Sequence, residues 1–323
     1  MPLMIVNEDI TAVRMDGIVN AANPDLLPGG GVCGAVFKTA GKLLEKDCRE
    51  LGGLPAGKSA VTFAYRLPSK YVVHAVGPVW QGGGAGESEL LRGAYETAME
   101  LADTHDCNSV AFPLISSGIY GYPKGEAFHE AVVALGGYLS RSREIDVYLS
   151  IWPEAVRHPY AGDLKGELAE FLRDGSASPA LAPRTPPAGA APAPPLAESL
   201  ANLLRVKGWE REELARRANL RLSELAGLLE PQDPSPPPKN FILAVALAFG
   251  LSALEAQGLL ECAGTRLDPA SVTDLAAAFF IGKGIHDVYL VSEASYASGG
   301  DFLGAVPRIE HGKGPWRPSK PAA

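Results

Sequence analysis

The sequence predicts an α/β domain, in three α/β/α layers around a mixed and mostly parallel sheet, followed by a separate all-α domain. Up to residue 173, short runs rich in Val, Ile, Leu and Phe alternate with segments of helical periodicity. Continuous apolar strands between helices are typical of parallel sheets that are covered on both faces. From residue 196 to 310 the pattern is almost wholly helical, which predicts the second domain.

Each element of the first domain, residues 1–173, follows from its local pattern. Runs of β-branched and other apolar residues predict strands, and apolar residues recurring every three or four positions predict helices. The predicted strands cover residues 3–6, 17–20, 60–65, 71–76, 109–114 and 145–152, and the predicted helices cover residues 32–47, 87–103, 126–140 and 163–173. Sheets of this kind bind ligands at the carboxyl ends of their strands.

The second domain is separated from the first by residues 174–195, which contain frequent prolines and no aromatic residue. This composition predicts a disordered, semi-extended linker. The helices predicted beyond it cover residues 199–207, 210–218, 223–229, 241–249 and 253–260. The last residues, 311–323, are expected to form a flexible tail.

The composition indicates a globular protein that works away from membranes. Hydrophobic residues make up 46% of the 323 residues and charged residues 20%, so burial can offset the chain entropy of two ordinary domains. No apolar run approaches the ~18 residues that a membrane span needs. The N-terminus lacks the basic and long apolar regions of a secretory signal. We therefore expect a cytoplasmic protein.

The net charge and the cysteines narrow the set of partners. A net charge of −8 argues against a nucleic-acid-binding surface across the whole protein, because phosphate contacts need clustered Lys and Arg. The four cysteines are scattered, with no Cys-x-x-Cys pair and no His at ligand spacing. We interpret them as reduced thiols, and we expect neither a metal nor a cofactor.

Two glycine-rich loops follow predicted strands and lead into predicted helices. The first spans residues 20–34 and contains three consecutive glycines, and the second spans residues 113–123. Glycines let backbone N–H groups approach an anion closely, and a helix N-terminus adds positive potential. Either loop alone is more simply explained as a structural turn. Two anion-binding loops on separate strands suit a diphosphate held between two sugars.

Residues 52–59 match the G-x-x-x-x-G-K-S pattern of a nucleotide-binding phosphate loop. The mechanism of that loop requires a strand before it and a helix after it. Here a predicted helix comes first, the strand-like residues 60–63 follow, and Pro55 stiffens the loop. We therefore interpret the segment as a helix-to-strand turn.

Five sequence blocks in a fixed order carry more information than either loop alone. They are Asp-Ile-Thr at 9–11, Val-Asn-Ala-Ala-Asn at 19–23, Gly-Gly-Gly-Val at 29–32, the Leu-Pro-Ser-Lys to Trp run at 67–80, and the Ser-Ser-Gly-Ile-Tyr-Gly-Tyr-Pro loop at 116–123. In these blocks the chain resembles the macrodomain family, and within it the MacroD-like branch, over about residues 3–173. The resemblance implies the macrodomain fold, with ADP-ribose or an ADP-ribosylated protein as partner.

The resemblance also implies roles for individual residues. Asp9 would accept a hydrogen bond from the adenine amino group near the Ile10 N–H, and Trp152 would stack on adenine, unless it is a core tryptophan. Asn23 would bond the distal ribose near its reactive carbon. Tyr120 and Tyr122 would shape the pocket, or one of them would serve packing. Backbone N–H groups of Ser116, Ser117, Gly118, Ile119 and Tyr120 would bind the diphosphate, and Gly29, Gly30, Gly31 and Val32 would close over the distal ribose.

Cys33 departs from the pattern of the hydrolytic members. These usually have Asp after Gly-Gly-Gly-Val, where a carboxylate can orient or deprotonate the attacking water. A thiol replaces it poorly, yet some macrodomains without this Asp hydrolyse ADP-ribosyl esters. We predict ester hydrolysis at the distal ribose, which releases ADP-ribose from a modified Asp or Glu, or acetate from O-acetyl-ADP-ribose. Asn23 and Cys33 are the candidate catalytic residues, and Cys33 as a nucleophile is a minor possibility. Two competing functions are a non-catalytic ADP-ribose reader and an ADP-ribose-responsive regulator.

The helical half resembles the helix-turn-helix module of repressor-like proteins, and its fusion to a macrodomain resembles a bacterial arrangement. Glu-Glu-Leu-Ala at 212–215 precedes the expected recognition segment, residues 221–230. That segment offers Arg221 and Ser223 but also Glu224, whereas base readout needs cationic or amide side chains and supporting phosphate contacts. This balance favours a protein partner over DNA.

Overall fold

The computed structural model describes residues 2–141, 144–151, 164–174, 195–232 and 235–312. The predicted linker, apart from its two end residues, and the tail beyond residue 312 therefore lie outside the described residues. The chain divides into two compact units, which we describe separately. One unit contains residues 3–156 together with the chain from residue 306 onward, and the other contains residues 157–305 together with residues 1–2.

The first unit is built on a six-stranded sheet in the order β1-β6-β5-β2-β4-β3. Its strands are β1 (Leu3–Val6), β2 (Gly17–Ala22), β3 (Lys58–Phe63), β4 (Tyr71–Val76), β5 (Ser109–Pro113) and β6 (Asp146–Ser150). All neighbouring strands are parallel except β3 and β4, which are antiparallel. The predicted mixed, mostly parallel sheet is thus confirmed. The inner strands are buried along nearly their whole length, as continuous apolar runs require.

The described part of this unit contains four helices: α1 (Gly31–Ala40), α2 (Lys42–Leu51), α3 (Glu87–Thr104) and α4 (Lys124–Leu139). The single helix predicted over residues 32–47 is wrong, because Gly41 divides it. Gly41 has a φ of 89°, a conformation that favours glycine, and its N–H donates to the Phe37 carbonyl at 3.0 Å to end α1. The apolar spacing runs on across the break and therefore does not reveal it.

The second unit is helical throughout its described secondary structure, which confirms the predicted all-α region. Its helices are α5 (Lys165–Asp174), α6 (Leu196–Lys207), α7 (Arg211–Arg217), α8 (Leu222–Leu229), α9 (Lys239–Ala248), α10 (Ala253–Cys262), α11 (Val272–Gly282) and α12 (Val288–Ala297). Neither α11 nor α12 was predicted from the sequence. Helix α11 is buried on almost all sides, so it lacks the one-sided apolar pattern that identifies a surface helix.

Helix α5 was predicted to close the α/β domain at residue 173, and this boundary is wrong. Leu168 is 1% exposed and lies in the core of the helical unit. The Phe171 ring packs against Phe279 of α11, with ring centroids 5.3 Å apart, and Glu167 pairs with Lys283. An amphipathic pattern specifies that one face of a helix is buried, but it does not specify which surface covers that face.

The boundary at residue 310 is also wrong, because residues 306–312 pack on the α/β unit. Val13 and His311 form an antiparallel bridge. The Tyr148 hydroxyl on β6 donates to the Arg308 carbonyl at 3.1 Å. The α/β unit is therefore discontinuous in the chain, with the helical unit inserted between its two parts.

Within the described residues, no helix is long and apolar enough to cross a membrane. The same residues contain no cluster of three or more His, Cys, Asp or Glu side chains that could hold a metal ion. All four cysteines are free thiols.

Candidate functional site

Three segments predicted to bind a ligand leave the sheet at one edge. Residues 7–11 follow β1, residues 114–123 follow β5, and residues 23–30 follow β2. Because these strands are linked through parallel neighbours, their carboxyl ends lie at the same edge. Strand spacing of about 4.8 Å places β1 roughly 14 Å from β2, with β6 and β5 between them.

The loop after β2 is held together by the side chain of Asn23. Its amide nitrogen donates to the Leu27 carbonyl at 2.7 Å, and its amide oxygen accepts from the Leu27 N–H at 3.1 Å. An amide has two N–H groups and two oxygen lone pairs, so one donor and one acceptor position of Asn23 remain for a ligand. The loop is thus preformed around a residue that can still bind.

Residues 52–59, which match the phosphate-loop pattern, pack against the loop after β2. This segment connects the end of α2 to the start of β3, which confirms the predicted helix-to-strand turn. The Leu54 N–H donates to the Pro24 carbonyl at 2.7 Å. A Cβ at Gly53 would lie 2.9 Å from that same carbonyl oxygen, so glycine permits the approach. The segment therefore has a structural role beneath the loop after β2.

The N-terminus of α1 presents uncapped backbone N–H groups next to this loop. The N-cap residue is Gly30, which has no side chain to accept hydrogen bonds from the first turn of the helix. The N–H groups of Val32 and Cys33 have no acceptor among the residues that the structure describes. A Cβ at Gly34 would lie 2.5 Å from the Gly29 carbonyl oxygen, so the helix start folds tightly onto the glycine run only because Gly34 lacks a side chain.

The loop after β5 turns its backbone N–H groups away from the protein's own acceptors. Ser116, at φ 63°, starts the turn, and its carbonyl accepts from the Tyr122 N–H at 3.0 Å. The N–H groups of Gly118, Ile119 and Tyr120 have no acceptor in the described part of the chain. Successive N–H groups without an acceptor can form a concave surface that suits an anion.

The two loops come into contact. A Cβ on Gly30 would lie 2.9 Å from the Cδ1 atom of Ile119, whose side chain is 81% exposed. Gly77, after β4, supports the second loop from below, because any Cβ there would lie 2.2 Å from the Ser116 hydroxyl oxygen. The two loops that carry the free donors are therefore adjacent, and we call the space between them the common gap.

Trp80 was part of a recognised block, but no role was predicted for it. Its backbone N–H donates to the Tyr120 carbonyl at 2.9 Å, which fixes the end of the loop after β5. Its ring packs on Tyr122, with centroids 4.5 Å apart. Tyr122 is 3% exposed and serves packing, whereas Tyr120 is half-buried beside the gap. No local signal in the sequence distinguishes these two tyrosines.

Asp9 lies at the far end of the same edge. Its Oδ1 atom accepts from the Thr11 N–H at 2.9 Å and from the Thr11 hydroxyl at 2.8 Å. Its Oδ2 atom and the neighbouring Ile10 N–H have no hydrogen-bond partner among the described residues. An acceptor and a donor thus remain side by side, the pattern that an adenine edge needs. Trp152, the predicted stacking residue, lies outside the described residues.

Comparison with known proteins identifies this arrangement. The family model "Macro domain" matches residues 19–131. An O-acetyl-ADP-ribose deacetylase of Citrobacter rodentium is 45% identical over 161 residues, 48% of this chain and 91% of that protein. The chain belongs to the macrodomain family.

Two further proteins are similar to this macrodomain. The O-acetyl-ADP-ribose deacetylase of Escherichia coli K12 is 42% identical over 161 residues, which are 48% of this chain and 91% of that protein. A macrodomain structure from Oceanobacillus iheyensis with ADP is 34% identical, at a TM-score of 0.46, and covers 54% of this chain and 92% of that one. The matched family model does not extend to the helical unit.

Cys33 is held inside the macrodomain by weak hydrogen bonds. Its thiol donates to the Leu27 carbonyl at 3.6 Å and accepts from the Asn20 amide nitrogen at 3.8 Å. The side chain is 6% exposed. Cys33 therefore links the first turn of α1 to the loop after β2, which makes it a poor candidate for activating water.

A buried polar chain continues from Asn20 into the sheet. The Asn20 amide nitrogen donates to His74 Nδ1 at 3.1 Å, so the ring proton lies on Nε2 and donates to the Thr62 hydroxyl at 3.0 Å. Burial lowers the pKa of His74 to about 4 and raises the pKa of the adjacent Cys48 to about 12. His74 is thus a neutral structural residue at pH 7, and Cys48 is an unreactive thiol.

The buried imidazole predicts a specific loss of stability in acid. The folded-state pKa of His74, about 4, lies below its unfolded value of about 6.5, so the unfolded chain binds the proton first. Stability should therefore fall by up to about 3 kcal/mol between pH 6.5 and pH 4, at 1.36 kcal/mol per pK unit. Denaturant unfolding of wild type and His74→Gln at both pH values measures this. Equal pH dependence in the two proteins would contradict it.

Proposed function

We propose that this macrodomain binds ADP-ribose along the sheet edge. Adenine would lie at Asp9 and the Ile10 N–H, the diphosphate at residues 116–120, and the distal ribose between residues 29–32 and Asn23. The observation that carries this proposal is the common gap, which two loops on neighbouring strands border with free backbone N–H groups. Their order along the edge matches the order of base, diphosphate and sugar in the ligand.

The two loops contain almost no charged side chains, which suits a ligand that is bound by backbone N–H groups. Residues 23–34 and 114–122 contain a single charged side chain, Asp25, which is exposed. Neutralisation of the diphosphate would therefore come from backbone N–H groups and from the N-terminus of α1, equivalent to roughly half a positive charge. Such a site recognises the shape of a diphosphate and does not attract every polyanion.

We further propose that the bound ester is hydrolysed, as in the MacroD-like branch. Water attacks the acyl carbon of the ester on the distal ribose, and the bond between that carbon and the ribose oxygen breaks. The products are a carboxylic acid, such as acetate, and ADP-ribose. The remaining donor and acceptor positions of Asn23 suit the orientation of this water beside a substrate phosphate. The identity of 42% with a deacetylase supports this reaction.

Hydrolysis of O-acetyl-ADP-ribose tests the proposal, together with calorimetry of ADP-ribose binding. Wild type should bind and turn over, and Cys33→Ala should keep its kcat within about threefold, because a thiol bonded within its loop is not a general base. A loss above about 100-fold, the size of a general-base effect, would give Cys33 a chemical role. Absence of ADP-ribose binding would contradict the whole proposal.

Cys33 also favours a second candidate, a reader that binds without turnover. The same assay separates the two, because a reader binds ADP-ribose and releases no acetate. In either case we propose a cytoplasmic location, since four free thiols suit a reducing compartment.

For the helical unit we propose a helix-turn-helix-like module with a protein partner. Residues 218–221 connect helix α7 to helix α8. Arg221, the cation expected to contact DNA, is 6% exposed and pairs with Glu224 at 2.7 Å. The exposed positions of α8 are Ser223 and Gly227, which carry no positive charge. A surface without free cations suits a protein better than a DNA backbone.

A further inference from the structure

The C-terminal segment, residues 306–312, adds backbone pairing to the α/β unit beside Asp9. The Arg14 N–H donates to the Glu310 carbonyl at 2.7 Å, and the Gly312 N–H donates to the Ala12 carbonyl at 3.0 Å. This is a short antiparallel pairing, to which Val13 and His311 contribute the bridge. Residues 12–14 are therefore fixed by a part of the chain that follows the whole helical unit.

Side chains extend the contact to the residue before Asp9. His311 Nε2 lies 2.8 Å from Glu8 Oε2. The Glu8 carbonyl accepts from the Ser150 hydroxyl of β6 at 2.5 Å. Residues 8–14 are thus held at both ends, and Asp9 lies between the two attachments.

The C-terminal segment packs closely against Pro68 at Gly312. A Cβ on Gly312 would lie 2.4 Å from Pro68 Cβ, closer than real Cβ contacts. Only glycine lets the chain pass Pro68 and still pair with Ala12. A side chain at residue 312 would therefore lift the segment from its partner.

We propose that the C-terminal segment positions Asp9 for the recognition of adenine. This inference rests on the proposed function, because it assigns Asp9 Oδ2 and the Ile10 N–H to the adenine edge. The segment does not touch the ligand. It fixes the backbone that carries Asp9 and Ile10, the acceptor and the donor for the adenine edge. It thereby sets the preference for adenine over a base without the amino group.

The test compares two ligands on the full-length chain by calorimetry. ADP-ribose is compared with its hypoxanthine analogue, inosine diphosphate ribose, which lacks the amino group that Asp9 would accept from. Wild type should prefer ADP-ribose by about tenfold, the effect of one hydrogen bond to a charged group. Gly312→Val should reduce this preference to about twofold, with a smaller effect on the affinity for the analogue. The kcat for O-acetyl-ADP-ribose should not change, because the ester lies at the other end of the site.

Three further variants keep the test independent of folding. His311→Ala should lower the adenine preference, and His311→Gln, which can still donate to Glu8, should restore it. Glu310→Gln is the matched control in the same segment, since only its backbone carbonyl pairs with Arg14. An unchanged preference in both Gly312→Val and His311→Ala overturns this inference alone. No preference in wild type overturns it together with the placement of adenine at Asp9. Failure of wild type to bind either ligand contradicts the proposed function itself.

Discussion

Gly118→Glu should abolish measurable ADP-ribose binding, with an affinity loss of at least about 100-fold. The substitution places a carboxylate among the free N–H groups of Gly118, Ile119 and Tyr120, where the diphosphate would bind. Two unit charges about 5 Å apart repel by roughly 3 kcal/mol at an effective dielectric constant of about 20. Titration calorimetry with ADP-ribose measures the effect.

The folded state should tolerate this change, which makes the result interpretable. A Cβ on Gly118 has no heavy atom within 4 Å, and the backbone there is not in the left-handed region. Gly137→Glu, on α4, is the matched control, because its Cβ also meets nothing within 4 Å. Both variants should unfold at the wild-type temperature, and only the first should lose the ligand. Wild-type affinity in Gly118→Glu would refute the placement of the diphosphate.

Asn23→Ala should lower the kcat of O-acetyl-ADP-ribose hydrolysis by about 100-fold, the effect of removing one preorganised hydrogen-bonding group. Two losses combine in this variant. The amide that would orient water disappears, and so do both hydrogen bonds to Leu27 that shape the loop. Steady-state kinetics and ADP-ribose calorimetry, run together, separate turnover from binding.

Asp25→Ala is the control for this variant, because Asp25 lies in the same loop with an exposed side chain. It should retain wild-type turnover. Affinity for ADP-ribose should fall only severalfold in Asn23→Ala, since most of the ligand contacts come from the backbone. A kcat within threefold of wild type in Asn23→Ala would remove Asn23 from the reaction, whereas absence of turnover in wild type and Asn23→Ala alike would leave the reader as the better description.

The sequence predicted the sheet and the glycine loops well, for a physical reason. Buried parallel strands are continuous apolar runs, and loops that approach an anion need glycine, so both leave local signals. Gly41 shows the limit of periodicity, because one residue in a left-handed conformation divides a helix whose apolar spacing continues. The domain boundaries at 173 and 310 failed because a segment's own pattern does not state which unit it packs against.

The parts of the site that the sequence did not reveal depend on pairwise contacts. Asn20 and His74 are paired across β2 and β4. Neither residue type by itself indicates that the two side chains are buried, uncharged and hydrogen-bonded to each other. Gly77 is a glycine because Ser116 lies against it, 39 positions later in the sequence. The prediction that Cys33 is a candidate catalytic residue stays untested, while its bond to Leu27 favours a structural role.

The insertion of the helical unit has a consequence for biosynthesis. Residues 306–312 leave the ribosome only after residues 157–305, which at about 5–20 residues per second takes roughly 7 to 30 seconds. During that interval the nascent chain already contains both glycine loops and every strand of the sheet. The backbone beside Asp9 still lacks its pairing partner. Under the proposed placement of the ligand, the base end of the site is therefore completed last, once the inserted helices have been translated.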